Sequence, residues 1–74
     1  MLSIDFYETG LRIDKFRNEA GLTVREMQDI FGFGTPQSIY KWLRGKSLPS
    51  LDNFVILASI LGKTIDDILV VKEM

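Results

Sequence analysis

The stretch that decides the fold is residues 35–45, which read TPQSIYKWLRG. Thr35 can cap a helix, because its hydroxyl accepts a free N–H of the first turn. Pro36 suits the first helical position, where its missing N–H is not needed. Gly45 can end the helix, because glycine adopts the left-handed conformation without steric penalty. We therefore predict a short helix over residues 36–44.

This helix has two unlike faces. With 100° between successive residues, Ile39, Trp42 and Leu43 fall on one side, which predicts that they are buried and structural. The opposite side carries polar and aromatic residues: Gln37, Ser38, Tyr40, Lys41 and Arg44. An amide and two cations on the outer face of a docked helix suit a DNA major groove. An ordinary solvated surface is the alternative that these residues alone leave open.

Length and composition exclude several classes of protein. The chain has 74 residues, enough for one domain, and it contains neither His nor Cys. It therefore lacks the commonest general base and the commonest metal ligands, so we expect no metal, no cofactor and no enzymatic activity. No apolar run approaches the roughly 20 residues of a membrane span, and we expect a cytoplasmic protein.

The net charge of −1 is unevenly distributed along the chain. Residues 1–29 hold four bases and six acids, and residues 52–74 hold two bases and four acids. Residues 30–51 hold Lys41, Arg44 and Lys46 and no acid. The only net-positive third of the chain therefore surrounds the helix of residues 36–44, where cations would meet DNA phosphates.

Apolar periodicity and capping signals predict four further helices and no strand, hence an all-α protein. The first covers residues 9–21 with Thr9 as its cap, and the second covers residues 22–31. In the second, Thr23 and Glu26 have the spacing of a capping box. We expect residues 1–8 to form an N-terminal arm, residues 9–71 the domain, and residues 72–74 a tail.

The last two helices have clear starts. Ser50 can cap a helix over residues 51–61 that is apolar on nearly every side. Such a helix must be central, or covered on a second side by a partner. Thr64 and Asp67 form a second capping box, which opens the fifth helix.

Taken together, these segments resemble the Cro/lambda-repressor-type helix-turn-helix DNA-binding domains over about residues 9–69. The resemblance lies in FRNEAGLT at 16–23, IFG at 30–32, IYKW at 39–42, RGK at 44–46, LPSLDN at 48–53 and LASILGKTIDDIL at 57–69. It implies a compact bundle of five helices with the helix-turn-helix at the second and third. It also implies a bacterial or phage transcription regulator whose third helix, residues 36–44, reads DNA.

The chain departs from the family pattern at five places. Members often carry Gln at the start of the second helix, Ala in its middle, Glu after the Trp and an apolar residue before the last capping box. Here those positions hold Val24, Gln28, Leu43 and Lys63. Without the Glu, Arg17 lacks the partner that the family pattern would give it. The turn before residue 36 is one residue longer than usual.

We predict a sequence-specific DNA-binding transcriptional regulator, a repressor or autoregulator. The expected base contacts are Gln37, Tyr40 and Lys41, and the expected backbone contacts are Thr35, Ser38, Arg44, Lys46 and Arg25. Base contact at the first turn of the third helix follows the docking geometry of this motif. The alternative is a module of the same fold that binds a partner protein, which the acidic balance and the missing Gln at Val24 favour.

A single copy offers few phosphate contacts, so we expect a homodimer on double-stranded DNA. Surplus apolar residues mark where the copies would meet: Ile56, Ile60, Val70 and Val71. The alternative is that residues 1–8 fold back and cover some of them.

Overall fold

The computed structural model describes all residues, 1–74, as five helices and one small sheet. The elements are β1 (Leu2–Ile4), α1 (Phe6–Glu19), α2 (Val24–Phe31), α3 (Gln37–Leu43), α4 (Leu51–Leu61), α5 (Ile65–Ile68) and β2 (Val71–Glu73). The five expected helices are present, and α4 has the expected bounds. No helix combines the length and apolar character that a membrane crossing needs.

The all-α expectation is incomplete, because the two ends of the chain pair as strands. β1 and β2 are antiparallel, with Ser3 opposite Lys72. The segments expected to be an arm and a tail are therefore in contact with each other. Their pairing joins residues almost 70 positions apart, and no local pattern in either segment announces it.

Helix α1 begins earlier than the sequence predicted. Asp5 is its cap, and the carboxylate of Asp5 accepts the N–H of Glu8 at 3.0 Å. Thr9, expected as the cap, lies inside the helix and is fully buried. Its hydroxyl oxygen instead accepts the N–H of Val70 at 3.0 Å, which ties α1 to the segment before β2.

The capping boxes at the starts of α2 and α5 are both confirmed. The Thr23 hydroxyl accepts the N–H of Glu26 at 3.0 Å, and the Glu26 carboxylate accepts the N–H of Thr23 at 3.1 Å. Thr64 and Asp67 repeat this reciprocal pair at 3.1 and 2.9 Å. These local bonds satisfy N–H groups that a helix start leaves free.

The core lies where α1, α3, α4 and α5 meet, with α2 closing one side. It consists of nine buried apolar residues: Ile13, Met27, Ile39, Trp42, Phe54, Leu57, Ala58, Leu61 and Ile68. Every helix contributes at least one of them. Because α3 is only seven residues long, its stability comes from this packing and not from its own hydrogen bonds.

Candidate nucleic-acid interface

The buried side chains of α3 hold the helix in place, and so fix the position of its solvent-exposed side. Ile39 is completely buried and Trp42 is 4% exposed, as the sequence predicted. The Trp42 ring meets Phe31 edge-to-face at 5.3 Å and Phe33 at 5.8 Å, while Phe31 and Phe33 stack on each other at 5.4 Å. These aromatic contacts fix α3 against both α2 and the turn that joins them.

The long turn before α3 is fixed by a residue that departs from the family pattern. The side-chain amide of Gln28 donates to the carbonyl of Phe33 at 3.2 Å. The N–H of Phe33 in turn donates to the carbonyl of Gln28 at 3.0 Å. Gln28, in place of the expected small residue, therefore holds the extended turn against α2.

The start of α3 differs from the prediction. Pro36 is the capping residue and supplies no side-chain bond, so the regular helix begins at Gln37. The Thr35 hydroxyl lies one position further out, at a long 3.5 Å from the N–H of Gln37. Thr35 is therefore not the cap, and its exposed side chain lies beside the first turn.

The other end of α3 is packed closely against α1. A Cβ on Gly10 would lie 2.5 Å from the carbonyl oxygen of Trp42. Gly45, at φ +72°, ends the helix as expected, and a Cβ there would lie 2.7 Å from the Cα of Tyr7. Both contacts are backbone to backbone, so only glycine lets α1 approach this closely.

The predicted base-contact residues and two of the predicted backbone contacts lie together. A groove of about 390 Å³ is lined by Gln37, Tyr40, Lys41, Arg44 and Lys46. It contains three cations, an amide and an aromatic ring, and no acid. The N–H of Lys46 donates to the carbonyl of Lys41 at 2.9 Å, which folds the chain after α3 back onto this side.

Within the groove, Tyr40 and Arg44 form a pair. The Arg44 guanidinium carbon lies 5.2 Å from the centre of the Tyr40 ring, within the range of a cation–π contact. Tyr40 is 39% exposed, so the ring is partly available as well. The pair limits the freedom of the Arg44 side chain at the edge of the groove.

The remaining predicted contacts lie outside the groove. Ser38 and Thr35 are exposed near the start of α3. Arg25 lies on α2, where its side chain pairs with Asp29 at 3.4 Å and both side chains are mostly exposed. Such a pair contributes little to stability, so Arg25 can exchange Asp29 for another anion at small cost.

Two further departures from the family pattern have partners in the structure. Arg17 donates to the Asp14 carboxylate at 2.7 and 3.1 Å and to the carbonyl of Leu22 at 2.7 Å, so its charge is satisfied without a Glu after Trp42. Lys63 lies over the Phe16 ring at 4.7 Å.

Sequence reasoning missed Gly10, whose only signal was a glycine inside an otherwise favourable helix.

The comparison with protein families agrees with this geometry. The model of a helix-turn-helix family matches residues 13–68. The chain belongs to the helix-turn-helix family of the Cro/lambda-repressor type. Members are DNA-binding regulatory domains, and the matched residues include α2, the turn and α3. No curated protein and no solved structure matched the chain.

Proposed function

We propose that this helix-turn-helix protein is a sequence-specific DNA-binding transcriptional regulator. The observation that carries the proposal is the groove along α3, which gathers three cations and an amide with no acid, in a chain whose net charge is −1. Positive charge that is concentrated in one groove of a chain with net negative charge is expected of a surface that contacts phosphates.

In this proposal α3 enters the major groove, and its residues divide into two roles. Gln37, Lys41 and Tyr40 contact bases, with Gln37 able to bond both N6 and N7 of an adenine. The backbone contacts are Thr35, Ser38, Arg44, Lys46 and Arg25. Phosphate contacts set the position of the protein, and the base contacts provide sequence specificity.

The regulator acts as a homodimer in the cytoplasm of a bacterial cell, of bacterial or phage origin, and serves as a repressor or autoregulator. The cationic side chains of the contact set in one copy neutralise about four phosphates, which corresponds to a salt slope of only about −3 to −4, and a dimer doubles it. The four residues predicted to form the contact between the two copies differ in exposure. Ile56 is 43% and Val71 57% exposed, whereas Ile60 and Val70 are half-buried.

The experiment is a salt-titrated DNA-binding measurement by fluorescence anisotropy, first on mixed duplex DNA and then on a selected site. Lys46→Ala should weaken binding to both and make the salt slope shallower by about 1 for each bound copy. Gln37→Ala should cost about 1–3 kcal/mol on the selected site and little on mixed DNA. Lys15→Ala removes an exposed lysine of α1 outside the groove and is the matched control.

The second candidate function is a protein-interaction module, and the exposed side of α4 favours it. Leu51, Val55 and Ile56 are 77%, 56% and 43% exposed, an unusual set of apolar side chains for one short helix. Undetectable binding to mixed DNA at low salt would favour this candidate over the regulator. So would binding to the selected site that the double variant Gln37→Ala with Lys41→Ala leaves unchanged.

A further inference from the structure

The small sheet has two open edges, and its hydrogen-bonding pattern shows which groups they expose. The N–H of Met74 donates to the carbonyl of Met1, and the N–H of Asp5 donates to the carbonyl of Val70, both at 2.8 Å. Bonded pairs alternate along an antiparallel ladder, so Ser3 and Lys72 form the bonded pair between these two. The residues between these bonded pairs direct their N–H and C=O groups away from the partner strand, toward the open edges of the sheet.

On β1 the outward residues are Leu2 and Ile4, and on β2 they are Val71 and Glu73. None of their four N–H groups donates to a side chain or to a loop of this chain. Each edge therefore presents two residues ready to bond another strand. The two edges differ, however, in the side chains that lie between the outward residues.

The edge of β2 opposes pairing with a second copy. An antiparallel arrangement that matches outward groups sets Val71 opposite Glu73 of the second copy. Lys72 then faces Lys72 of the second copy directly, and like charges in opposite positions are destabilising. A lysine at the middle of an edge strand is a usual means of preventing such association.

The edge of β1 is self-complementary. When two β1 edges are set antiparallel, Leu2 falls opposite Ile4 of the second copy and Ile4 opposite its Leu2, an arrangement that allows four main-chain hydrogen bonds about a two-fold axis. Ser3 faces Ser3 of the second copy, so no charge meets a like charge. The two Lys72 side chains lie three strand spacings apart, about 14 Å, beyond the Debye length of about 8 Å.

Pairing at this edge also covers apolar side chains. Leu2, which is 68% exposed, is brought beside Ile4 of the second copy, and Ile4 is opposite Val71 within its own sheet. In the joined sheet, Val71, Ile4 and the Leu2 of the second copy lie side by side on one face. A two-stranded sheet is marginally stable alone, and four strands with an apolar face are more stable.

We propose that two copies of this chain associate through the edges of β1, forming a continuous four-stranded antiparallel sheet in the order β2-β1-β1-β2. The inference rests on the homodimer of the proposed function and names the surface that forms it. Of the four residues predicted for the dimer contact, Ile56 and Ile60 lie on α4, outside this contact, and Val70 and Val71 lie on the β2 side of the sheet, away from the β1 edge. The two-fold axis at Ser3 relates the two copies of α3, as two symmetric DNA half-sites require.

Analytical ultracentrifugation of the full chain, without DNA, tests the contact separately from DNA binding. Leu2→Pro removes an outward N–H but leaves the β1–β2 bonds, because proline is tolerated at the free side of an edge strand. It should raise the dimer dissociation constant about tenfold or more, since each dimer loses two main-chain bonds. Val71→Pro makes the same change at the other edge and should alter the constant by less than about threefold.

Amide hydrogen exchange in the unmodified chain provides a second measurement that needs no variant. Protection of the Ile4 N–H should rise with protein concentration, while the Val71 N–H stays unprotected. A chain that is monomeric at millimolar concentration, or a dimer that Leu2→Pro leaves intact, overturns the proposal. So does a dimer that Ile56→Lys abolishes while the Ile4 N–H exchanges freely. Each result holds whether or not the chain binds DNA.

Discussion

At the scale of single residues, the position of α3 depends on groups that never face the groove. Gly10 lies under the Trp42 carbonyl, and Gln28 bonds the turn through the Phe33 carbonyl. Neither residue lines the groove, yet both determine where Gln37 and Lys41 lie. A change at either position should therefore affect stability first and the groove second.

Gly10→Ala should destabilise the protein by about 1–3 kcal/mol, because its methyl group would overlap the backbone of α3. Gly34→Ala is the matched control, since a Cβ there meets nothing within 4 Å and its φ is not positive. Urea unfolding monitored by circular dichroism gives both values. Equal stability of the two variants would contradict the close approach of α1 and α3.

Gln28→Ala should lower the free energy of unfolding by about 0.5–1.5 kcal/mol, the usual net contribution of one hydrogen bond. Gln37→Ala removes the same side chain from an exposed position with no side-chain partner in the chain, so stability should not change. The same unfolding measurement compares them. If Gln28→Ala is as stable as Gln37→Ala, the amide of Gln28 does not hold the turn.

At the scale of elements, three of the five helix starts were predictable and strand pairing was not. The starts of α2, α4 and α5 follow from residues within three positions of each other: Thr23 with Glu26, Ser50 with Asn53, and Thr64 with Asp67. For α1 the sequence predicted Thr9 as the cap, whereas the structure has Asp5, four residues earlier, in that role. The burial of Thr9 against Val70 decides between them, and only the folded chain shows it.

The start of α5 makes stability depend on pH. Hydrogen bonds from Thr64, through its main-chain N–H and its hydroxyl, lower the pKa of Asp67 below 3.8, with smaller contributions from Lys63 and Arg12. A carboxyl whose pKa is lower in the folded state contributes stability above its unfolded pKa. That contribution is lost as pH falls through the folded pKa.

Asp67→Ala should therefore be less stable than the unmodified chain at pH 7, and the difference should shrink as pH falls below about 3.8. Comparing the two chains cancels the titration of the other acids. Urea unfolding at several pH values between 7 and 2 measures the difference. A gap that stays constant over this range would exclude a role for the ionised Asp67 carboxylate at the start of α5.

At the scale of the whole molecule, the groove and the sheet are joined through a single helix. α1 connects them, since its first turn follows β1 and also contacts Gly45 at the end of α3. Five of the eight predicted contact residues line the groove, because helical periodicity and charge are local, and Thr35, Ser38 and Arg25 lie outside it. The sequence did not predict the sheet or the fit of α1 against α3, because both depend on contacts between distant segments.

Selection of bound sequences from a random duplex DNA pool tests the central claim, that α3 reads DNA, most directly. We expect an enriched motif, and for a dimer two symmetric half-sites whose centres lie about 34 Å apart. The double variant Gln37→Ala with Lys41→Ala should lose the enrichment or change the bases selected. No enrichment with the unmodified chain, or the same motif with the double variant, would contradict the account.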